Sequence, residues 1–257
     1  MRARHAAHSK QNAMTTLNIP VTSSVGSIVA NDLRAAAVLT RHGIDFCCKG
    51  GRSVEEVCRT KSLDPAELIR EIEEALARDT SSPEDFASWT LSRLIDHIES
   101  IHHSYVEDRT AVLRQYLHKL CRVHGERHPE LFNIAAEFEA CAGALASHMK
   151  KEELVLFPYI KQLEQADASG TAAPKPYFGT ARNPVRMMEE EHDTEGERFR
   201  RISQLSFGYA VPSDGCATYS AAMSLLKEFE EDLHTHIHLE NNILFPRALR
   251  IEEQVRS

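Results

Sequence analysis

A chain of 257 residues with 42% apolar and 26% charged residues can form one large domain, or a medium domain with a small partner. Its formal net charge of −8 argues against a nucleic-acid surface, and no stretch approaches the roughly 20 apolar residues of a membrane-spanning helix. Six cysteines, two of them adjacent, lack the density of a disulfide-stapled secreted domain and point to a reducing, cytoplasmic setting.

The N-terminal MRARHAAHSKQNAM is basic but has no apolar segment, so it is not a secretory signal. Residues 1–16 read as a disordered tail, with Met14 as a second candidate start. VGSIVANDLRAAAVLTRHG has the pattern of one helix ended by Gly43, and IDFCCKGG makes a tight turn carrying Cys47 and Cys48. Ser53 and Glu56 have capping-box spacing. Asp64, Pro65 and Glu67 supply the N-cap, first-turn proline and third-position acid of a helix running to Arg78. Residues 17–78 therefore read as a small helical domain, and the polar residues 79–85 as a mobile linker.

Residues 86–252 offer four long helical segments, at 86–122, 130–164, 184–205 and 215–249, and no convincing period-two strand pattern. Joined mainly by short loops, they predict an all-α antiparallel four-helix bundle, whose interior can host a metal site. HMKKEELVLFP at His148 and HIHLENNILFP at His236 share the frame His-x-x-x-Glu-x-x-x-Leu-Phe-Pro, 88 residues apart. His103 precedes the first frame by 45 residues and His192 the second by 44, and Arg109 and Arg198 follow them by six each.

His and Glu four apart share a helix face, and here that face is apolar: Cys141, Leu145 and Val155 around the first pair, Phe229, Leu233 and Ile243 around the second. An ionised Glu in a bundle core is costly unless something pairs with it. Two carboxylates that each bridge two cations, with imidazoles completing the shells, would meet that need. Two structural His–Glu hydrogen bonds are the plainer alternative. Imidazole with carboxylate suits iron, manganese or zinc, whereas the absence of cysteine argues against a four-ligand structural zinc.

In the first segment two criteria diverge. The repeat selects His103, but the apolar stripe through Leu91, Ile95, Ile98, Tyr105, Leu113 and Leu120 centres on His102. His103 is taken as the ligand, with His97 and His102 as its outer partners. His118, His124, His128 and His238 read as surface or loop residues, and Cys121, Cys141 and Cys216 as packing. Glu191 reads as a channel-mouth group or a solvated one. Lys49 and Arg52 would stabilise near-surface thiolates at Cys47 and Cys48. A zinc set of His42, Cys47, Cys48 and Cys58 has the atoms but no recognised spacing.

On these residues the bundle half resembles the hemerythrin-like domains. With DFCCKGG upstream, the chain from Leu17 onward resembles the iron–sulfur cluster repair di-iron (RIC) family. The resemblance implies metal ligation by His103, His148, Glu152, His192, His236 and Glu240, and two Fe ions per chain, carboxylate-bridged with an oxo or hydroxo bridge. It implies a functional Cys47–Cys48 pair for iron or nitrosyl handling, and repair of clusters damaged by nitrosative or oxidative stress through iron supplied to damaged iron–sulfur proteins. Binding, scavenging or sensing of nitric oxide or dioxygen, and reduction of nitric oxide, are the alternatives, so enzymatic activity stays open, as does homodimerisation. Two departures from oxygen-carrying hemerythrins argue against simple oxygen carriage. His192 stands alone between Met188 and Gly196, and the last helix carries His-x-x-x-Glu in place of a longer His-to-Asp spacing.

Overall fold

The computed structural model describes residues 19–78 and 84–256; the expected tail at 1–16 and residues 79–83 of the linker lie outside the described residues. Four short helices come first: α1 (Val25–Asn31), α2 (Ala35–Arg41), α3 (Val54–Lys61) and α4 (Pro65–Arg78). The single helix expected over 25–43 is in fact two. Asp32 is extended (φ −157°, ψ 108°), and its carboxylate accepts from the backbone N–H and guanidinium of Arg34. A short acid that satisfies local donors competes with the helical ladder, and periodicity alone does not register it. The Ser53–Glu56 capping box is formed, and Gly43 ends α2 in the left-handed region at φ +61°.

The remainder forms four helical arms. The first joins α5 (Leu91–His97) and α6 (Ser104–His124) through a π turn, Ile98–His103. The second joins α7 (Glu130–Lys151) and α8 (Phe157–Ser169) through Glu152–Leu156, and the fourth joins α10 (Ala217–Leu239) and α11 (Phe245–Val255) through Glu240–Leu244. The third arm is α9 alone (Arg182–Leu205).

The Leu-Phe-Pro end of the repeated frame explains two of the π turns. Pro158 and Pro246 have no N–H to give to the preceding turn, and their rings would crowd it. The helix widens just upstream instead, so that Phe157 N–H reaches back five residues to Glu152 O, and Phe245 N–H to Glu240 O.

The arms pack antiparallel around two apolar clusters. Ile98, Leu156, Phe157, Met188, Leu239 and Ile243 belong to one; Val106, Leu145, Met149, Phe199, Leu233 and Ile237 belong to the other. Along every arm the change of cluster falls at the same level, and at that level stand the four histidines of the repeat.

The N-terminal helices join the second cluster through Val29, Phe46 and Cys47. They dock at the fourth arm's π turn, where Asn242 Nδ2 donates to Cys47 O (3.1 Å) and Phe46 O (3.4 Å). Gly26 and Gly50 allow that approach: a Cβ on either would fall 2.3 or 2.5 Å from Asn242 Oδ1.

Candidate metal centre

Glu152 and Glu240 are fully buried, and His103, His148, His192 and His236 are each at most 2% exposed. Their ligating atoms form two groups, each within 4.8 Å: His103, Glu152, His236 and Glu240, and His148, Glu152, His192 and Glu240. Each carboxylate divides its oxygens between the groups. Glu152 Oε2 faces His103 Nε2 at 3.5 Å and Oε1 faces His148 Nε2 at 3.3 Å. Glu240 Oε1 faces His236 Nε2 at 3.0 Å and Oε2 faces His192 Nε2 at 3.1 Å. Each group thus offers two imidazole nitrogens and two carboxylate oxygens, one from each glutamate.

The outer edges of three of the four imidazoles are also held, while His236 Nδ1 is buried without a partner. His103 Nδ1 contacts Glu153 Oε1 (3.0 Å), His148 Nδ1 contacts Glu191 Oε2 (2.8 Å), and His192 Nδ1 contacts Asn241 Oδ1 (2.8 Å). Each acceptor takes the Nδ1 proton, which leaves Nε2 as a lone pair aimed inward, the tautomer a metal ligand needs. Lys151 pairs with Glu191 from the far side.

Sequence reasoning missed these supports, although Glu153 and Asn241 both follow a frame glutamate by one residue. Glu191, left open between a channel mouth and solvent, braces His148. Its neighbours Glu189 and Glu190 do not share that role.

The polypeptide alone satisfies this centre poorly. His148 and His192 face each other Nε2 to Nε2 at 3.0 Å, so two inward lone pairs would repel unless a proton or cation lies between them. Neither Glu152 contact has hydrogen-bonding geometry, so both of its buried oxygens lack a donor, as do Glu240 Oε2 and His103 Nε2. Leaving a buried polar group unpaired costs about 1–3 kcal/mol, and more when it is charged. Burial opposes protonation of His148, but the charges of Glu152 and Glu240 outweigh it and lift the imidazole to about 9. His103 is raised in the same way, and both glutamates are held below their ordinary range despite burial. Burial instead depresses His236. Two imidazolium protons can balance two carboxylates, and cations binding between the same atoms would displace them. The donor set fits divalent or trivalent iron.

The π turn at Ile98–His103 resolves the conflict over the first arm. A wider turn delays the rotation of every later residue, so counting α-helical angles from Leu91 overshoots by the time it reaches His102. His103 enters the centre. His102 is buried beside it, stacked on His236 at 5.6 Å between ring centroids, with Nδ1 at 2.9 Å from Asp232. His97 contacts the His102 ring edge-on at 5.6 Å.

Other expectations need correction. His238 is not at the surface: it is wholly buried against Phe46 and Asn242, and burial pushes its imidazole down to about 4. His124 is buried as well, with Nε2 at 3.3 Å from Cys216 Sγ, and Cys216 is an exposed residue, not a packing one. Arg198 pairs with Glu137 while Arg109 lies over Tyr105, so the repeated arginines share no role.

Cys47 is 3% exposed rather than near the surface, and its thiol is pushed well up by Cys48 and by burial. Arg52 donates to Lys49 O and supports no thiolate. Cys48 Sγ lies 3.6 Å from His192 O, on the outer side of the turn whose inner side carries the imidazole. Gly196 faces it: a Cβ there would meet that sulfur at 3.4 Å. The zinc set does not assemble, because His42 Nε2 pairs with Glu71, and no ligand group among the described residues joins it or Cys58 to the pair.

The family model described as a domain of unknown function (DUF542) matches residues 21–76, and the hemerythrin HHE cation binding domain matches residues 94–248. The chain is 35% identical over 229 residues to the iron–sulfur cluster repair protein YtfE of Yersinia pestis, covering 89% of this chain and 97% of that protein. The protein of the same name from Yersinia pseudotuberculosis is 34% identical over the same length and shares. The chain belongs to the family of iron–sulfur cluster repair proteins, with a hemerythrin-type cation-binding bundle behind a small helical N-terminal segment.

Proposed function

We propose that this chain restores iron–sulfur clusters damaged by nitrosative or oxidative stress in the cytoplasm, supplying iron that it carries as a carboxylate-bridged pair. The observation that supports this most is the division of Glu152 and Glu240, each offering one oxygen to either imidazole pair. In this reading His103 and His236 would hold one iron and His148 and His192 the other, with Glu152 and Glu240 each offering an oxygen to both. Bound iron, with an oxo or hydroxo bridge, supplies redox-active metal that can be given up to a damaged iron–sulfur protein.

The chain's own residues do the rest. Glu153, Glu191 and Asn241 fix the tautomers of His103, His148 and His192, and the apolar clusters above and below exclude water. Glu152 and Glu240 are the groups on which a proton would loosen the hold on one iron. The Cys47–Cys48 pair would receive it, a reading supported by the Cys48 thiol lying against the His192 carbonyl.

Iron-loaded protein incubated anaerobically with an apo-ferredoxin tests the reading by regrowth of the ferredoxin's cluster absorption. Transfer is expected from the wild type and not from Cys47→Ser/Cys48→Ser, which keeps the iron of the histidine–glutamate centre. Transfer at an unchanged rate from the double variant would remove the cysteines from the route. Stoichiometric uptake of nitric oxide with no iron reaching the acceptor would make the chain a nitric oxide binder instead.

A further inference from the structure

A second group of metal-ligating side chains lies outside the histidine–glutamate layer. Asp45, Cys47 and Cys48 bring one carboxylate oxygen and two sulfurs within 4.8 Å of one another. They border a cavity of about 260 Å³ between the N-terminal helices and the bundle, lined also by Gly196, Arg200, Glu230 and His234.

Two of the three separations match one bound ion. Two thiolates on a tetrahedral cation, each about 2.3 Å from it, stand about 3.8 Å apart. Cys47 Sγ and Cys48 Sγ are 3.8 Å apart. A thiolate and a carboxylate oxygen on the same ion would be separated by about 3.6 Å. Cys47 Sγ and Asp45 Oδ1 are 3.4 Å apart. A disulfide between adjacent residues would need the sulfurs at about 2.05 Å in a strained ring.

The carboxylate is fixed in advance. Asp45 Oδ1 accepts from the backbone N–H of Cys48 (2.9 Å) and of Lys49 (3.2 Å), while Arg200 Nη1 holds Oδ2 at 3.3 Å. Oδ1 is thereby turned toward both thiols.

We propose that Asp45, Cys47 and Cys48 form a third metal site, separate from the histidine–glutamate centre, that takes one thiophilic divalent cation, Fe2+ in the cell, and leaves its fourth position open to the cavity. Binding exchanges protons for metal: two S–H bonds break, two metal–sulfur bonds form, and two protons leave to solvent, with no change of oxidation state. An open position next to His192 makes the site a station at which an acceptor's thiolate could take the ion. That use rests on the repair reading; the binding itself does not.

Cobalt(II) titrated anaerobically into the purified full-length protein separates the two. Only this site among the two has sulfur ligands, so a thiolate-to-cobalt charge-transfer band reports on it alone. One equivalent per chain is expected to generate the band, with two protons released. Cys47→Ser or Cys48→Ser abolishes it, and Asp45→Asn weakens cobalt binding by about tenfold or more, as removal even of a ligand's supporting partner does. His148→Ala/His192→Ala breaks the other centre and leaves the band in place, so a failure of the repair reading would not remove it. No band at saturating cobalt, or a band that survives both serine substitutions, overturns the proposal. Unchanged affinity in Asp45→Asn removes the carboxylate from the site and with it the three-ligand assignment.

Discussion

Replacing Asn242 by alanine tests how the N-terminal helices are held over the centre. Its Nδ2 donates to the carbonyl of Cys47 at 3.1 Å and more weakly to that of Phe46 at 3.4 Å, and lies 3.2 Å from His238 Nδ1. The substitution leaves one carbonyl without its donor and a second with a weaker loss, at about 1–3 kcal/mol for a fully buried group. It also opens the space that Gly26 and Gly50 share with the amide. Because Asn242 is only half-buried, water recovers part of this, and the expected loss is about 2 kcal/mol. Urea unfolding at neutral pH measures it, and amide hydrogen exchange locates it, with faster exchange expected over residues 44–50. A stability change below about 0.5 kcal/mol, within the range of an ordinary surface substitution, together with unchanged exchange at 44–50, would refute the anchoring role.

Three further outcomes follow from particular contacts. Gly196→Ala should raise stability by up to about 1 kcal/mol in urea unfolding, since the added Cβ meets Cys48 Sγ at 3.4 Å, an ordinary contact, and a mid-helix glycine is replaced; a loss would mean that the sulfur cannot give way. Glu252 is desolvated, which raises its carboxyl, but hydrogen bonds from Thr180, Tyr159, Ala181 N–H and Arg256 prevail and hold it below the ordinary 4.5. Its stabilisation is therefore complete above the unfolded value and lost as pH falls through the folded one, and acid unfolding of Glu252→Gln should show a shallower decline below neutrality. Cys216, whose thiol is lowered to about 7 by His124 and by the backbone N–H groups of Tyr219 and Thr218, should be the cysteine alkylated fastest by iodoacetamide, with a midpoint near that pH that moves up in His124→Ala.

The bundle and its repeated His-x-x-x-Glu frame were legible because they rest on spacing. His-x-x-x-Glu places two groups on one face wherever the helix is regular, and the second copy singled out His103 and His192 as counterparts. The choice between His102 and His103 was not legible from periodicity, because a π turn breaks the 100° rule that periodicity assumes. The cause was nevertheless on view in two arms, where Leu-Phe-Pro follows the frame. The outer supports were half legible: Glu153 and Asn241 occupy the same position in both copies, but each braces a histidine on another arm, which no single-helix count can show. The burial of Cys47 and the role of Asp45 depend on how the DFCCKGG turn meets α9 and the fourth arm's π turn. That contact is tertiary, so the charges of Lys49 and Arg52 misdirected the reading of the thiols. His238 was misjudged for the same reason, since it is the docked Phe46 that covers it.

The account's central claim is tested most directly by the iron content of the purified full-length chain, measured with its optical spectrum before and after anaerobic nitric oxide. At least two irons per chain, an oxo-bridge absorption that nitric oxide alters, and loss of iron in Glu240→Gln are the predicted results. A single zinc per chain, or no metal after anaerobic preparation, would contradict it and return the paired His-x-x-x-Glu frames to hydrogen bonding within the core.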